Sequence, residues 1–306
     1  MIRLWIANTD HDWFDFLASQ PSLDEVNFWQ PSGGTNFGAI QSGELFVFRL
    51  KAPRNAIGGY GILSHSSNLP VSLAWEAFGI KNGASSLEEM RSRIGKYRAS
   101  QTLEDYVIGC RIVVQPIFLP EHSWIPQPES WAPSIVVGKT YTTEDEEGLS
   151  LWRRLMDVGT VQNQLSGVTE PQFRYGEPTL VKPRLGQGAF RVAVTDAYDR
   201  TCAVSGGKVL PALDAAHIRP YALGGTHELS NGILFRRDIH SVFDAGYVTI
   251  DEQYRFVVSE KVKTDFNNGN EYRRLHGAQL SLPVAPRDRP DREALRWHNE
   301  NIFRGS

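Results

Sequence analysis

Cysteine and long apolar runs are both scarce in this sequence. Its two cysteines, Cys110 and Cys202, lie far apart in the 306 residues, which excludes a multi-disulfide scaffold and a Cys-x-x-Cys zinc site. No stretch approaches the roughly 18 consecutive apolar residues of a membrane-spanning helix, so we expect no membrane association. Asp10 and Asp12 soon interrupt the short apolar start of the chain. Because no secretory h-region is present there, the expected location is the cytoplasm.

The excess of one sign of charge over the other is also small. The net charge is −3, with a small basic excess in the last third of the chain. A strongly electrostatic nucleic-acid binder is far more basic, so charge alone is weak evidence for such a partner. The 41% of apolar residues is enough for full hydrophobic cores.

Tryptophan is nearly absent from the second half, where Trp297 is the only one after Trp152. At about 150 residues per domain, the length also predicts two domains, at 1–140 and 184–306. Between them, we predict a connecting helix and a linker at 141–183. Thr143 and Glu146 have capping-box spacing for that helix.

Short apolar strands with glycine and proline turns dominate the first domain. We predict strands at 1–7, 45–50, 55–63 and 108–118, and a short helix near 13–19. Few helices accompany these strands, so a small curved sheet or barrel is expected. The predicted fold class of the whole chain is α+β.

The second domain carries an ordered set of polar motifs. Its sequence reads Leu213-Asp-Ala-Ala-His217-Ile, then Asn231-Gly, then His240-Ser-Val-Phe-Asp244-Ala-Gly. We predict that Gly206-Gly207 turns a hairpin whose second strand is 213–218, and that a helix covers 237–243. These motifs resemble the HNH nuclease family, in which a two-stranded hairpin and a helix hold one divalent metal ion.

The resemblance implies catalytic roles for three residues. His217 is the expected general base, because a neutral imidazole can accept a proton from water. Asn231 matches the residue that braces the loop, and His240 matches a ligand of Mg²⁺ or Mn²⁺. The sequence departs from the commonest pattern at Ala216, where a metal-binding carboxylate or histidine usually stands. Asp214, on the same strand face, is the candidate replacement, although it could instead only anchor a loop.

Other residues of this domain remain alternatives. Asp238 and Asp244 could substitute for Asp214 as ligands. Arg219, Arg236 and Arg237 could bind phosphates, or could simply be solvated. For the remaining histidines we expect packing or solvent-facing roles; they are His11, His65, His122, His227, His276 and His298.

The first domain resembles the EVE family of PUA-like domains. The resemblance rests on a tryptophan followed by an Asn loop (28–37), a Gly-Glu turn at 43–44 and an Ile-x-Gly strand at 57–62. It implies an aromatic pocket for a modified base. The predicted pocket residues are Trp29, Tyr60 and Trp75, with Ser32 and Asn36 as hydrogen-bonding groups. Each aromatic could equally fill a core.

Together these resemblances predict a modification-dependent restriction endonuclease. It would flip a 5-methylcytosine or 5-hydroxymethylcytosine out of double-stranded DNA and cut nearby. The alternatives are a nuclease targeted to RNA or unmodified DNA, and a non-catalytic binder of modified bases. Because one HNH site cuts one strand, either two protomers pair or monomers nick in turn. Leu295 and Trp297 could serve a dimer interface or pack on their own domain.

Overall fold

A computed structural model describes residues 1–34, 37–98, 105–165, 180 and 184–305, with 159–165 described by their backbone alone. The chain divides into two compact units, Met1–Arg184 and Leu185–Ser306. No helix in the described ranges is long and apolar enough to span a membrane.

The elements of the first unit are β1 (Arg3–Thr9), α1 (His11–Ala18), β2 (Glu25–Gln30), β3 (Leu45–Leu50), β4 (Ala56–Pro70), α2 (Val71–Phe78), α3 (Leu87–Gly95), β5 (Val107–Phe118), β6 (Ile125–Pro126), β7 (Gly138–Thr142) and α4 (Glu146–Leu165). Those of the second unit are α5 (Gln187–Ala197), β8 (Leu213–His217), β9 (Gly232–Arg236), α6 (Arg237–Asp244), β10 (Val248–Ile250), β11 (Phe256–Val258), α7 (Lys261–Phe266), α8 (Asn270–Arg273) and α9 (Arg292–Asn301). The predicted α+β class is confirmed.

One seven-stranded sheet organises the first unit. Its strand order is β2-β5-β4-β3-β1-β7, and β6 pairs with β4. The β1–β3 pair is parallel, whereas β2, β4 and β7 pair antiparallel with their neighbours. Register shifts interrupt the β3–β4 and β4–β5 ladders, and such bulges bend strands. The sheet is therefore curved, as predicted.

Glycine lets two long strands approach closely. A Cβ at Gly59 would lie 2.2 Å from the carbonyl oxygen of Ile117, and one at Gly61 would lie 2.5 Å from Cγ1 of Val113. Both contacts are shorter than a carbon atom allows, so only glycine fits where β4 crosses β5.

Helix α4 packs against the sheet of the first unit. Its Leu151 and Leu155 join the core cluster that contains Leu4 of β1. Asp145 caps the helix, because its Oδ1 accepts the amide hydrogen of Gly148 at 2.7 Å. The predicted cap at Thr143 is wrong: its hydroxyl instead accepts from the amide of Ile2 at 3.0 Å. Most of the predicted linker lies outside the described residues.

The predicted start of the nuclease hairpin is also wrong. Residues 202–207 close on themselves, since the amide of Cys202 donates to the carbonyl of Gly207 at 2.9 Å and that of Gly206 donates back at 3.1 Å. The hairpin consists of β8 and β9, which pair antiparallel. Leu213–His217 is therefore its first strand, and 218–231 forms the connecting loop.

The last helix packs within its own unit. Leu295 of α9 is fully buried in the core cluster that also contains Phe235 and Phe243. This apolar position is therefore not available as the dimer contact that the sequence allowed.

Candidate active site and N-terminal cavity

The β8–β9 hairpin and helix α6 bring the two predicted metal ligands together. Asp214 lies on β8 opposite Phe235 of β9, and His240 lies on α6 directly after β9. The Oδ2 atom of Asp214 is 3.0 Å from Nδ1 of His240. The expected juxtaposition across the strand and the helix is thus present.

His240 lies between two carboxylates. Its Nε2 is 3.2 Å from Oδ2 of Asp244, one turn further along α6. Burial lowers the pKa of His240, but the hydrogen bonds to Asp214 and Asp244 outweigh it and raise that pKa to about 9. Both ring nitrogens therefore carry protons at neutral pH, and a metal ion has to displace one of them before the ring can coordinate it.

Asp214 has a second cationic neighbour. The Nε atom of Arg191, on α5, lies 3.3 Å from its Oδ1. Burial raises the pKa of Asp214, yet the hydrogen bond to His240 and the charge of Arg191 hold it below its usual value. Asp214 is therefore a carboxylate at neutral pH, as a metal ligand must be. Arg191 stood in the sequence without an assigned role.

The chemistry of these donors fits a divalent ion. Carboxylate oxygens and an imidazole nitrogen are suitable ligands for Mg²⁺ or Mn²⁺, and Mg²⁺ typically keeps several waters beside one or two carboxylates. In the ranges that the structure describes, no group of three or more His, Cys, Asp or Glu side chains is placed to hold an ion. Asp214 and His240 could hold such an ion together with water molecules.

His217 sits at the end of β8 with its ring held on two sides. The ring stacks on Phe190 with centroids 3.9 Å apart, and its Nε2 is 2.9 Å from Nδ1 of His227. Burial, together with repulsion from the charge of His227, lowers the pKa of His217 to about 4. The ring is therefore neutral at pH 7 and can accept a proton.

His227 is a site residue that the sequence did not single out. Its ring stacks on Tyr221 at 4.6 Å while Nδ1 meets His217. We expected packing or solvent exposure for this histidine, because nothing in the sequence spacing places it beside His217. Its position in the loop between the two hairpin strands brings it there.

Asn231 braces that loop. Its Oδ1 accepts the amide hydrogen of Arg219 at 2.9 Å, and its Nδ2 donates to the carbonyls of Arg219 and Thr226 at 2.9 and 2.8 Å. Asn231 is 6% exposed. These bonds lie in the loop that follows His217, so they hold the backbone next to that residue; the implied role of Asn231 in positioning a general base stays a prediction.

The three predicted phosphate-binding arginines have different environments. Arg219 donates to the carbonyl of Leu223 at 2.8 Å, with its guanidinium over the ring of Trp297. Arg236 pairs with Asp238, its Nη2 lying 2.6 Å from Oδ2. Arg237 is exposed at the start of α6.

A cavity of about 550 Å³ opens on the sheet of the first unit. This volume lies within the usual range for small-molecule sites. The lining combines aromatic rings with a few polar groups; it consists of Trp5, Asn8, Asp10, Trp13, Phe28, Trp29, Gln30, Pro31, Ser32, Phe37, Gly38, Ala39, Lys51, Tyr97, Arg111, Val136 and Val137.

The predicted pocket residues divide between this cavity and other places. Trp29 and Ser32 line it, and the indole of Trp29 donates to the carbonyl of Asn82 at 3.0 Å. Tyr60 is instead fully buried in the core cluster of the sheet. Trp75 lies partly exposed on α2, away from the lining. Asn36 lies outside the described residues.

Tyr60 shows why the sequence misplaced part of the pocket. Strand β4 is buried on both faces around this residue, so apolar alternation does not indicate which side chains face the cavity. Arg111 was missed for a related reason. It is a charged residue inside the apolar strand β5, and that interruption was the available signal.

Residues 202–251 match the family model HNH_2, described as HNH endonuclease. The C-terminal unit carries an HNH endonuclease domain. The predicted nuclease class is confirmed, and HNH nucleases generally use a divalent metal ion. The matched segment contains the candidate base and both candidate metal ligands. Their individual roles stay predictions.

Three solved structures show weak likeness. The ASCH protein from Zymomonas mobilis is 10% identical, covering 48% of this chain and 94% of its own, with a TM-score of 0.34. The modification-dependent TagI restriction endonuclease is 14% identical, covering 85% of this chain and 61% of its own, with a TM-score of 0.29. The type IV phosphorothioation-dependent restriction endonuclease ScoMcrA is 11% identical, covering 92% of this chain and 50% of its own, with a TM-score of 0.22. Such low scores assign no substrate. No curated protein matches the chain.

Proposed function

We propose that this protein is a modification-dependent DNA endonuclease. In this proposal the cavity of the first unit binds a modified cytosine flipped out of duplex DNA, and the HNH domain cuts the backbone nearby. The observation that carries it is the aromatic cavity of about 550 Å³ in a chain that also holds an HNH domain. A nuclease alone has no need of such a cavity.

The energetics of base capture support this use of the cavity. Flipping a base out of a duplex costs a few kcal/mol, while stacking it on aromatic side chains returns about 1–3 kcal/mol per base. The cavity offers several rings for that purpose, among them Trp5, Trp29 and Phe37. Joining this reader to the nuclease in one chain raises the local concentration of the nuclease near the mark, so the small basic excess in the last third of the chain suffices for DNA binding.

The HNH residues take the following roles in the proposal. His217 accepts a proton from the attacking water, for which Nδ1 is available because Nε2 faces His227. Asp214 and His240 would hold Mg²⁺ or Mn²⁺, with Asp244 as the alternative carboxylate. When bound, the ion stabilises the negative charge that develops on the phosphate and the leaving oxygen. Arg237, exposed beside the site, would contact a phosphate.

The test uses the full-length chain and four matched duplexes. They contain cytosine, 5-methylcytosine, 5-hydroxymethylcytosine or N6-methyladenine at one position, and are incubated with Mg²⁺ or Mn²⁺. We expect cleavage of a duplex with modified cytosine and little cleavage of the others. Equal cleavage of all four, or cleavage of a matched RNA, would favour a nuclease that does not read modified cytosine. Binding of modified DNA without cleavage would favour a non-catalytic binder.

The number of protomers at a double-strand break is part of the same proposal. Two chains could act together, or single chains could nick each strand in turn. A dimer would sediment at about twice 34.4 kDa and convert supercoiled plasmid directly to linear DNA. A monomeric mass with nicked circles that appear first would identify sequential nicking.

A further inference from the structure

Among the described residues, no carboxylate contacts the buried Arg111 in the cavity of the first unit. Arg111 lies in the middle of β5, opposite Phe28 of β2. Its side chain lines the cavity although the residue is only 2% exposed. Burying a charged group is costly unless it is paired. The contacts of this guanidinium therefore show which interaction a ligand could add.

The described contacts of Arg111 do not include an acceptor for its Nε. Its Nη2 donates to Oε1 of Gln30 at 2.7 Å, and its Nη1 donates to the carbonyl of Cys110 at 3.3 Å. The buried Nε has no hydrogen-bond acceptor among the described residues. The guanidinium also lies 4.6 Å from the ring centroid of Phe37.

None of these partners is a carboxylate. Asp10, the acidic residue of the lining, is engaged elsewhere, because Lys51 contacts its Oδ1 and the hydroxyl of Tyr97 donates to the same atom at 2.8 Å. Burial lowers the pKa of Arg111 to about 10, so the group remains a cation at neutral pH. Within the described part of the cavity, the charge of Arg111 thus has no carboxylate partner, and its Nε has no acceptor.

We propose that Arg111 donates a hydrogen bond to an acceptor atom of the bound base and thereby selects the ligand of this cavity. The inference rests on the proposed function and deepens it: the ligand is a pyrimidine that presents an oxygen or an unprotonated ring nitrogen to the guanidinium. A charge-assisted bond in a buried site is stronger than a neutral one. A base that offers only donors to this wall of the cavity is rejected, because it leaves the cation unpaired.

The acceptor can come from two parts of a modified cytosine. One source is the base itself, through its O2 and N3 atoms. The other is an oxygen in a substituent at C5, present in hydroxymethyl and carboxyl groups and absent from methyl. The chemistry seen by Arg111 is the same in both, and the affinities of matched duplexes separate them.

The experiment measures equilibrium binding of the full-length chain by fluorescence anisotropy in EDTA, where the metal-dependent cleavage is prevented. The duplexes carry cytosine, 5-methylcytosine, 5-hydroxymethylcytosine or 5-carboxylcytosine at one position. The variants are Arg111→Gln, which removes the charge, and Arg111→Lys, which keeps the charge but lacks the planar fork. Arg54→Gln is the matched control, since Arg54 pairs with Asp15 through Nη1 at 2.6 Å and does not line the cavity.

We expect Arg111→Gln to weaken binding of the preferred modified duplex by about tenfold or more, whereas Arg54→Gln leaves it unchanged. If the acceptor belongs to the C5 substituent, the wild type prefers hydroxymethyl and carboxyl over methyl, and Arg111→Gln removes that preference. If it belongs to the base, the variant weakens binding of all three modified duplexes by the same factor.

A folded Arg111→Gln chain that binds every duplex with wild-type affinity would overturn the proposal. Thermal melting identifies a variant that fails to fold. If Arg111→Gln does not fold, the test uses Arg111→Lys, because this variant retains a buried cation. Wild-type affinity of Arg111→Lys for the modified duplex would reject the role of the guanidinium. The proposed function fails separately, when the wild type does not distinguish modified from unmodified duplexes. The effect of Arg111→Gln on affinity is then measured with the nucleic acid that the wild type binds.

Discussion

The HNH site and the N-terminal cavity differ in how their buried charged groups are paired. In the HNH site, protonated His240 lies between Asp214 and Asp244, and Asp214 also meets Arg191. In the cavity, the partners of Arg111 in the described part of the chain are neutral oxygens, and its Nε has no acceptor there. A compensated cluster is stable without a ligand, and a metal must displace one of its bonds. An uncompensated cation is stabilised when a ligand arrives.

The two regions also differ in how the chain builds them. The HNH residues come from one hairpin, its loop and the following helix, so a contiguous motif specifies them. The cavity draws its lining from residues as far apart as Trp5 and Val137. Substitutions in the first region should therefore affect cleavage without binding, and substitutions in the second should affect recognition first.

The largest effect is expected at the general base. His217→Ala should lower the cleavage rate by about 10²–10⁴-fold, because the variant lacks the proposed proton acceptor. Affinity for modified duplex in EDTA should stay unchanged. His122→Ala, an exposed histidine of the first unit, is the control. Cleavage by His217→Ala within tenfold of the wild type would remove His217 from this role.

The next effect concerns the metal. Asp214→Asn should raise the Mn²⁺ concentration required for half-maximal cleavage by about 10–100-fold, the range seen when groups that support a metal site are lost. Asp238→Asn should leave the titration unchanged, since Asp238 pairs with Arg236 rather than with His240. An unchanged titration in Asp214→Asn would show that Asp214 is not a ligand.

A matched pair of tryptophans tests the cavity. Trp29→Ala should reduce the binding preference for modified over unmodified duplex by about 1–3 kcal/mol, as expected for one lost stack. Trp75→Ala should not change it, because Trp75 lies on α2 away from the lining. Trp29→Phe retains a ring and should retain most of the preference. The opposite pattern in the two alanine variants would place the reading surface elsewhere.

Acid should destabilise the second unit through a buried histidine. His298 is 2% exposed, and its ring stacks on Phe243 at 3.9 Å. Burial lowers its pKa from 6.5 to about 4, so the unfolded chain binds a proton more readily. This contribution to the free energy of unfolding is complete above about pH 6.5 and is lost as the pH falls towards 4, by at most about 1.4 kcal/mol per pH unit. Urea unfolding at several pH values should show a flatter profile for His298→Gln.

The smallest effect is expected at the partner of the base. His227→Ala should lower the turnover number by about tenfold, because the ring of His217 loses the contact at its Nε2. His227→Gln, which can restore a hydrogen bond, should recover part of the rate, and the pH–rate profile should shift in the alanine variant. A rate and profile identical to those of the wild type would leave His227 with a packing role alone.

The order of the HNH motifs along a short segment predicted that Asp214 and His240 lie close together, and they are 3.0 Å apart. Their ligation of a metal ion and the role of His217 as base stay predictions. The hairpin was misplaced because Gly206-Gly207 has turn chemistry and does form a turn, but one that closes on Cys202. Local composition indicated the turn and not the strands that it joins.

The cavity could be predicted only in part. Strand β3 has the predicted bounds, 45–50, because a continuous apolar run is a strong local signal. That same continuity on β4 conceals which way Tyr60 points. A sequence also does not show that Arg111 has no carboxylate partner among the residues that the structure describes, since that depends on strands distant in the chain. Charge compensation is a property of the folded sheet.

The most direct test of the account compares cleavage and binding in two variants of the full-length chain. For each of wild type, His217→Ala and Arg111→Gln, the measured quantities are the rate of cleavage and the affinity for duplexes with modified and unmodified cytosine. The account predicts that His217→Ala keeps the preference for modified duplex and loses cleavage. Arg111→Gln should bind modified duplex about tenfold more weakly or worse and, at saturating concentration, should still cut it. A wild type that binds and cuts modified and unmodified duplexes equally would contradict it.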